Sequence, residues 1–203
     1  AASRRAFRLA MSDYGASVAL PPLMRRLRRE APGIDLEISY ASRSGMIAGV
    51  ADGQLDLALA VFGETPADIH RAVLFHEGFV CAADAGQGVP STLEGYLARP
   101  HVLVAASQDQ RAAEVDAALA RLGQARRVAL RLPHWTAAPA ALAGTDLVLT
   151  VARRTLDPAP PGLAVAPVPF AIAPLAFEMI WHERADGDAG LGWLRDLLSQ
   201  VLA

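Results

Sequence analysis

The stretch FRLAMSDYGASVALPPLMRRLRREAPGIDLEISYASRSGMIAGVADGQLDLALAV, residues 7–61, decides the fold of this chain. Three strand-like apolar runs, which end near Met11, Tyr40 and Val61, alternate in it with two helix-like amphipathic stretches. Strand, helix, strand, helix, strand in so short a segment is the order of an open α/β sheet. The sequence therefore predicts the α/β class.

The loop after the first predicted strand, Ser12-Asp13-Tyr14-Gly15, is the first candidate for a binding site. Open α/β sheets bind ligands beyond the carboxyl ends of their strands, where loops lead into helix N-termini. The Ser12 hydroxyl and the neighbouring backbone N–H groups can hold a carboxylate there. The alternative is that Ser12 is a plain helix cap, and the two roles are compatible.

Pro21 and Pro22 interrupt the helical pattern that follows this loop. Proline is tolerated in the first turn of a helix but kinks or ends the helix further in. The sequence therefore predicts a short turn after Gly15 and a main helix from about Pro22 to Ala31.

A composition break at residues 84–90, DAGQGVP, divides the chain. A second set of strand-like and helix-like stretches follows, and a last strand and a terminal helix end the sequence. We expect two Rossmann-like lobes joined by two crossover strands: residues 1–84 and 166–203 form lobe I, and residues 85–165 form lobe II. Two crossings make a hinge, and hinged lobes close on ligands.

Composition excludes several classes of function. All 19 basic residues are arginine, which excludes Schiff-base chemistry, pyridoxal phosphate anchoring and a P-loop lysine. The net charge of −2 does not favour a polyanion partner, and the one basic cluster, at residues 25–29, fits a solvated helix face. No apolar stretch reaches the length of a membrane span, and no histidines or carboxylates have metal-ligand spacing. We therefore expect no membrane contact, no metal and no cofactor.

Several motifs, by their order and spacing, resemble the effector-binding domain of LysR-type transcriptional regulators. FRLAMSDYG with ALPPLMRRLRREAPGIDLEI is similar to that family's first strand, helix and second strand, and GQLDLAL to its third-strand entry. RRVALRLPHW, GTDLVLTVARR and WHER…DAG…WLR have counterparts in the NodD-like and NahR-like branch. The resemblance spans nearly the whole chain. It implies the type 2 periplasmic-binding-protein fold, with the family's N-terminal winged helix-turn-helix absent from this chain.

Residues at strand ends, together with this resemblance, form the predicted ligand site. Arg43 follows the second strand and can grip a carboxylate, although an exposed loop arginine is the alternative. Phe62 and Trp135 either line the cleft or pack in the core. No catalytic residue is predicted, and the predicted ligand-binding residues are Ser12, Ser42, Arg43, Phe62, Ser107, His134, Trp135, Thr150 and Phe170.

The function that these expectations favour is a small-molecule sensor. A small organic acid, aromatic in the family's branch, is expected to bind in the interlobe cleft and to change the DNA-binding arrangement of a homodimer or homotetramer. DNA is contacted only through the missing N-terminal domain. A cytoplasmic location is expected, and the single Cys81 is compatible with it. Two alternatives stay open: a periplasmic-type solute-binding protein, and a hydrolase with Ser12 as nucleophile and His134 as base.

Overall fold

The chain divides into two compact units, which are described separately. The computed structural model describes residues 5–105 and 113–203. Unit 1 comprises Ala1–His76 and Ala176–Ala203, and unit 2 comprises Glu77–Leu175. Each unit is built on one five-stranded sheet.

The described residues form ten strands and five α-helices. The strands are β1 (Arg5–Met11), β2 (Ile34–Ser39), β3 (Leu57–Ala60), β4 (Ile69–Glu77), β5 (Phe79–Asp84), β6 (His101–Val104), β7 (Val128–Leu132), β8 (Val148–Ala152), β9 (Leu163–Pro167) and β10 (Leu175–His182). The α-helices are α1 (Asp13–Glu30), α2 (Arg43–Ala51), α3 (Leu93–Leu97), α4 (Ala113–Arg121) and α5 (Ala189–Leu202). Among these helices, none has both the length and the apolar character that crossing a bilayer requires.

The sheet of unit 1 has the order β2-β1-β3-β10-β4. β1 runs parallel to β2 and β3, and β10 runs antiparallel to β3. Ala10 lies beside Ser39 and Met11 beside Leu59, so the three parallel strands end at one edge of the sheet. We call this edge the unit 1 rim and define it by the residues that follow the strands, namely 12, 40–43 and 61–62.

The sheet of unit 2 repeats this order as β7-β6-β8-β5-β9. β6 runs parallel to β7 and β8, and β5 runs antiparallel to β8 and β9. Alternation along β8 sends Leu149 and Val151 into one buried cluster, whereas Val148 joins Cys81 and Tyr96 in another. Both faces of this sheet are therefore covered.

The core of unit 1 forms where α1 and α5 cover the sheet. Leu23 and Leu27 of α1 and Leu194 and Leu198 of α5 are fully buried, and α1 packs against α5. In each helix the two leucines are about one turn apart and therefore lie on the same face. Burial of one such side chain contributes about 2 kcal/mol, so these helices are held mainly by packing.

α1 is one helix from Asp13 to Glu30 and contains both prolines, so the prediction that the main helix begins at Pro22 was wrong. A proline inside a helix costs about 3 kcal/mol, because it removes an N–H donor and crowds the preceding turn. Ala19 before the prolines and Leu23 after them are fully buried on the same core. This packing on both sides keeps the helix continuous.

The two crossings lie outside the boundaries expected from the composition break. The sequence predicts crossings near 82–90 and 160–170, with lobe boundaries at 84–85 and 165–166, whereas the compact units divide at His76–Glu77 and Leu175–Ala176. β5 and β9 cause the difference, because they pair with each other, and β5 also pairs with β8. Both strands therefore belong to unit 2.

Candidate functional site

Ser12 ends β1 and caps α1. Its Oγ accepts a hydrogen bond from the backbone N–H of Gly15 at 3.1 Å, and its side chain is half-buried. A Cβ on Gly15 would lie 3.1 Å from the Phe177 ring and 3.2 Å from the Met11 Cβ. The glycine therefore lets the N-terminus of α1 approach the end of β1 closely, and this keeps the Ser12 hydroxyl at the rim.

Ser42 repeats this arrangement between β2 and α2. Its Oγ accepts a hydrogen bond from the N–H of Gly45 at 3.2 Å and lies 3.2 Å from the Ser44 Oγ. Ser42 and Arg43 are exposed, and Arg43 is the first residue of α2. The unit 1 rim thus presents two serine-capped helix N-termini and a guanidinium, all of which favour negative charge.

Phe62 follows β3 but lies in the core of unit 1. The side chain is 3% exposed, and the backbone N–H donates to the Glu178 Oε2 at 3.1 Å. Glu178 is buried and pairs with Arg71 at 3.3 Å, and Arg71 also donates to the Gly63 carbonyl. Phe62 is therefore packed in the core, which is one of the two placements that the sequence analysis considered. Contact between its ring and an effector stays a prediction.

In unit 2, His134 and Trp135 follow β7. His134 is exposed, whereas Trp135 is half-buried and packs against the cluster that contains Leu149. Ser107 lies outside the described residues. Of the predicted site residues in unit 2 that the structure describes, His134 is the most exposed.

Thr150 and Phe170 are placed around Tyr96, a residue that sequence reasoning missed. Thr150 is 8% exposed, and its Oγ1 lies 2.7 Å from the Tyr96 hydroxyl. The Phe170 ring meets the Tyr96 ring edge-to-face at a centroid distance of 5.0 Å. These contacts occupy both side chains inside unit 2, and effector contact by either stays a prediction. The tyrosine among the apolar residues of LEGYL was the available signal.

Polar groups continue beneath the sheet of unit 2, and we call this set the unit 2 polar cluster. The His101 side chain is fully buried, and its Nε2 lies 2.8 Å from the Tyr96 carbonyl. Because a carbonyl only accepts, Nε2 carries the hydrogen. Burial lowers the pKa of His101 to about 4 and raises the pKa of the Cys81 thiol to about 12, so both groups are neutral at pH 7. The cluster comprises Cys81, Tyr96, His101, Arg126 and Thr150.

The basic cluster of α1 lines a groove of ≈ 390 Å³ in unit 1, together with residues of α5. The arginines in it are largely exposed, and Arg26 is paired with Glu30 one turn along the helix. Exposed pairs of this kind contribute little to stability. No group of histidine, cysteine and carboxylate side chains within residues 5–105 and 113–203 could hold a metal ion.

Comparison with known proteins assigns the family. Residues 1–203 match the family model described as the LysR substrate binding domain. The chain belongs to this family. The HTH-type transcriptional activator NagR of a Ralstonia species is 32% identical to it over 100% of this chain and 68% of NagR. NahR of Pseudomonas putida, also a transcriptional activator, is 31% identical over 97% of this chain and 67% of NahR. The chain thus spans about two thirds of the length of these relatives.

Solved structures agree with this assignment. The regulatory domain of MexT, a transcriptional activator in Pseudomonas aeruginosa, is 33% identical, has a TM-score of 0.89 and is matched over 99% of this chain and 100% of that one. The probable transcriptional regulator PA0477 of the same organism is 35% identical with a TM-score of 0.85, over 97% and 66%. The predicted LysR membership and two-sheet α/β fold class are confirmed. The relatives are transcriptional regulators and not enzymes, so this is a regulatory effector-binding domain, and the hydrolase alternative is set aside.

Proposed function

We propose that this LysR substrate-binding domain binds a small organic acid, with aromatic carboxylates as its ligand class. The observation that carries the proposal is the unit 1 rim, where Ser12 and Ser42 cap two helices at the aligned ends of β1 and β2. Backbone N–H groups and serine hydroxyls at such a point are ready-made donors for an anion.

The two helix N-termini and Arg43 at the rim support an acid over a neutral ligand, whereas Asp13 in the first turn of α1 acts against an anion. A helix N-terminus favours an anion by about 0.3–1 kcal/mol, and the rim contains two of them. Arg43 adds an exposed guanidinium that is free to reach a carboxylate from the first turn of α2. The aromatic part of the proposal comes from the resemblance to the NahR-like branch and from Trp135, an aromatic residue that follows β7 in unit 2. Contacts from His134 and Ser107 stay part of the same prediction.

Effector binding would act on the regulator by shifting a conformational equilibrium. A ligand changes an equilibrium only by its difference in affinity for the two states, so the acid must bind one arrangement of the domain more tightly. We propose that the full regulator is a homodimer or homotetramer in the cytoplasm. In this proposal the DNA contacts come from a separate DNA-binding domain, and the effector changes how the oligomer engages DNA.

Isothermal titration of the domain with benzoic acids and with their uncharged amides tests the proposal. The acids are expected to bind and the amides to bind at least tenfold more weakly, because the rim donors select charge. Ser12→Asp is the sharpest variant, since aspartate keeps the helix cap but places a negative charge at the rim. It is expected to abolish binding of the acids.

Ser199→Ala is the matched control, because Ser199 is exposed on α5, away from the rim residues, and its hydroxyl donates to the Arg195 carbonyl of the same helix. This variant is expected to bind the acids like the wild type. Equal affinity for acids in the wild type, Ser12→Asp and Ser42→Asp would show that the rim is not the site. An acid that binds no better than its amide would show that charge does not decide recognition.

A further inference from the structure

The groove between α1 and α5 in unit 1 has arginine side chains along one wall, and we call it the arginine groove. Its volume is ≈ 390 Å³, and volumes from about 300 to 1,000 Å³ are typical of small-molecule pockets. Both walls belong to helices that pack on each other and on the core of unit 1, so the groove has a firm frame. The residues that line it are Pro22, Arg25, Arg26, Arg29, Gln200 and Val201.

The positive charges of the arginine groove exceed the negative charges beside them. Glu30 is the one acidic residue in residues 14–34, and its carboxylate accepts hydrogen bonds from Arg26. These bonds lower the pKa of Glu30, and the charge of Arg29 lowers it further. Arg25 and Arg29 make no hydrogen bond or ion pair to another described residue. One carboxylate therefore stands against three guanidinium groups.

The spacing of these arginines acts against the helix that contains them. Arg25 and Arg29 are one turn apart on α1, and like charges at this spacing destabilise a helix. The helix dipole favours cations in the last turn, which accounts for Arg28 and Arg29 but not for Arg25. On α5, Asp196 is exposed one turn before Gln200, and it does not line the groove. A bound anion would relieve this repulsion.

We propose that the arginine groove binds a small molecule that carries a chain of two or three phosphate groups. Guanidinium groups bind phosphate oxygens through paired hydrogen bonds. Arg25 and Arg29 are separated by about 6 Å along the helix axis, a span that suits successive phosphates better than a single one. The Gln200 side chain on the opposite wall adds an amide donor. The groove begins at Pro22, in the second half of α1, and is distinct from the unit 1 rim.

Isothermal titration of the domain with inorganic tripolyphosphate, in magnesium-free buffer at about 0.15 M salt, tests the proposal. The wild type is expected to bind one molecule, and to bind inorganic phosphate at least tenfold more weakly because one phosphate engages fewer guanidinium groups. Arg25→Gln is expected to weaken tripolyphosphate binding at least tenfold. The matched control is Arg28→Gln, because Arg28 is exposed on the same helix, donates to the Pro32 carbonyl and does not line the groove. This control is expected to bind within twofold of the wild type.

A second variant changes the affinity in the opposite direction. Glu30→Gln releases Arg26 from its carboxylate partner and is expected to tighten tripolyphosphate binding at least threefold. Asp35→Asn is its matched control, because it removes an exposed carboxylate of β2 that does not line the groove, and it is expected to change the affinity less than twofold. A titration with ATP then distinguishes a nucleotide from inorganic polyphosphate, since the nucleoside would add contacts with Pro22 and Val201.

Two outcomes overturn the proposal. One is the absence of saturable tripolyphosphate binding by the wild type. The other is equal weakening by Arg25→Gln and Arg28→Gln, because it would show that the net charge of α1, and not the groove, attracts the anion. The probes and variants differ from those used for the unit 1 rim, so this result does not depend on the effector proposal.

Discussion

The two units share one strand order but place their polar groups differently. In unit 1 the hydroxyls of Ser12 and Ser42 stand at the ends of parallel strands, where they cap helices and remain accessible. In unit 2 the polar groups lie beneath the sheet, and Tyr96 and Thr150 bond to each other there. The same strand order therefore does not imply the same kind of binding site. The side chains decide whether polar groups are exposed to solvent or bonded to one another.

The two units also differ in how their charged and titratable groups are buried. Unit 1 keeps the Arg5–Asp188 pair near the surface, where both side chains are about a third exposed, and its buried Glu178 is paired with Arg71. Unit 2 buries a histidine and a guanidinium in the same cluster. Charges in a low-dielectric interior interact strongly, whereas surface pairs are screened by water and salt. The stability of unit 2 should consequently respond to acid between pH 6.5 and 4, where the buried His101 is neutral and the unfolded histidine is charged.

The largest expected effect is a loss of stability as pH falls from 6.5 to 4. Burial lowers the pKa of His101 to about 4, so the unfolded chain binds a proton in this window and the folded chain does not. The free energy of unfolding is fully retained above pH 6.5 and falls by about 3 kcal/mol by pH 4. Urea unfolding across this range, on the wild type and on His101→Gln, measures the effect.

Glutamine can still donate to the Tyr96 carbonyl but does not titrate, so His101→Gln should flatten the profile between pH 6.5 and 5. Asp188 provides the contrast in unit 1. Hydrogen bonds from Arg5 lower its pKa to about 2, so its contribution is lost only below pH 4. Identical slopes for His101→Gln and the wild type would show that unit 2 does not hold a neutral buried histidine.

The next effect comes from the buried hydroxyl pair. Tyr96→Phe leaves the Thr150 hydroxyl without its 2.7 Å partner and is expected to cost about 1–3 kcal/mol. Ser12→Ala, which removes a helix cap at the rim, is expected to cost about 1 kcal/mol. Tyr40→Phe is the control, because Tyr40 is 59% exposed and should change stability little. A cost for Tyr96→Phe no greater than for Tyr40→Phe would contradict the contrast between the units.

The smallest effect is expected at the surface of unit 1. Asp188→Asn keeps the cap of α5, since asparagine caps as well as aspartate, but removes the charge that pairs with Arg5. A double-mutant cycle with Arg5→Gln should give a coupling of about 0.2–1 kcal/mol that shrinks in 1 M salt. A coupling above about 2 kcal/mol, or one that salt does not change, would mean that this pair behaves like a buried one.

Much of unit 1 was predictable because its signals are local. Apolar runs, Ser12 and Ser42 before helices, and the glycines that follow them all lie within one short segment, and the structure has a strand or helix at each. The boundaries near 84 and 165 were not predictable from composition, because they depend on β5 pairing with β8 and β9 far along the chain. The continuity of α1 through Pro21 and Pro22 likewise depends on distant packing.

The interior of unit 2 was harder to anticipate for a physical reason. Arg126 and Arg127 stand side by side in the sequence and look alike, yet the Arg126 side chain is buried and bonded to Asp116. Thr150 was expected at a strand end, but it lies inside β8, where alternation directs its side chain toward Tyr96. Its contact with an effector stays a prediction. Burial of a polar side chain is decided by its neighbours in space, and sequence spacing does not record them.

Cys81 can serve as a natural probe for local opening of the unit 2 sheet. It is the one cysteine in the chain, it is fully buried, and its pKa near 12 keeps it protonated. A maleimide can react only after β5 separates from β8 and β9, which flank it. The rate of alkylation under native conditions therefore measures how often the sheet of unit 2 opens locally. The measurement needs no engineered label, and this chain has no second thiol that could react.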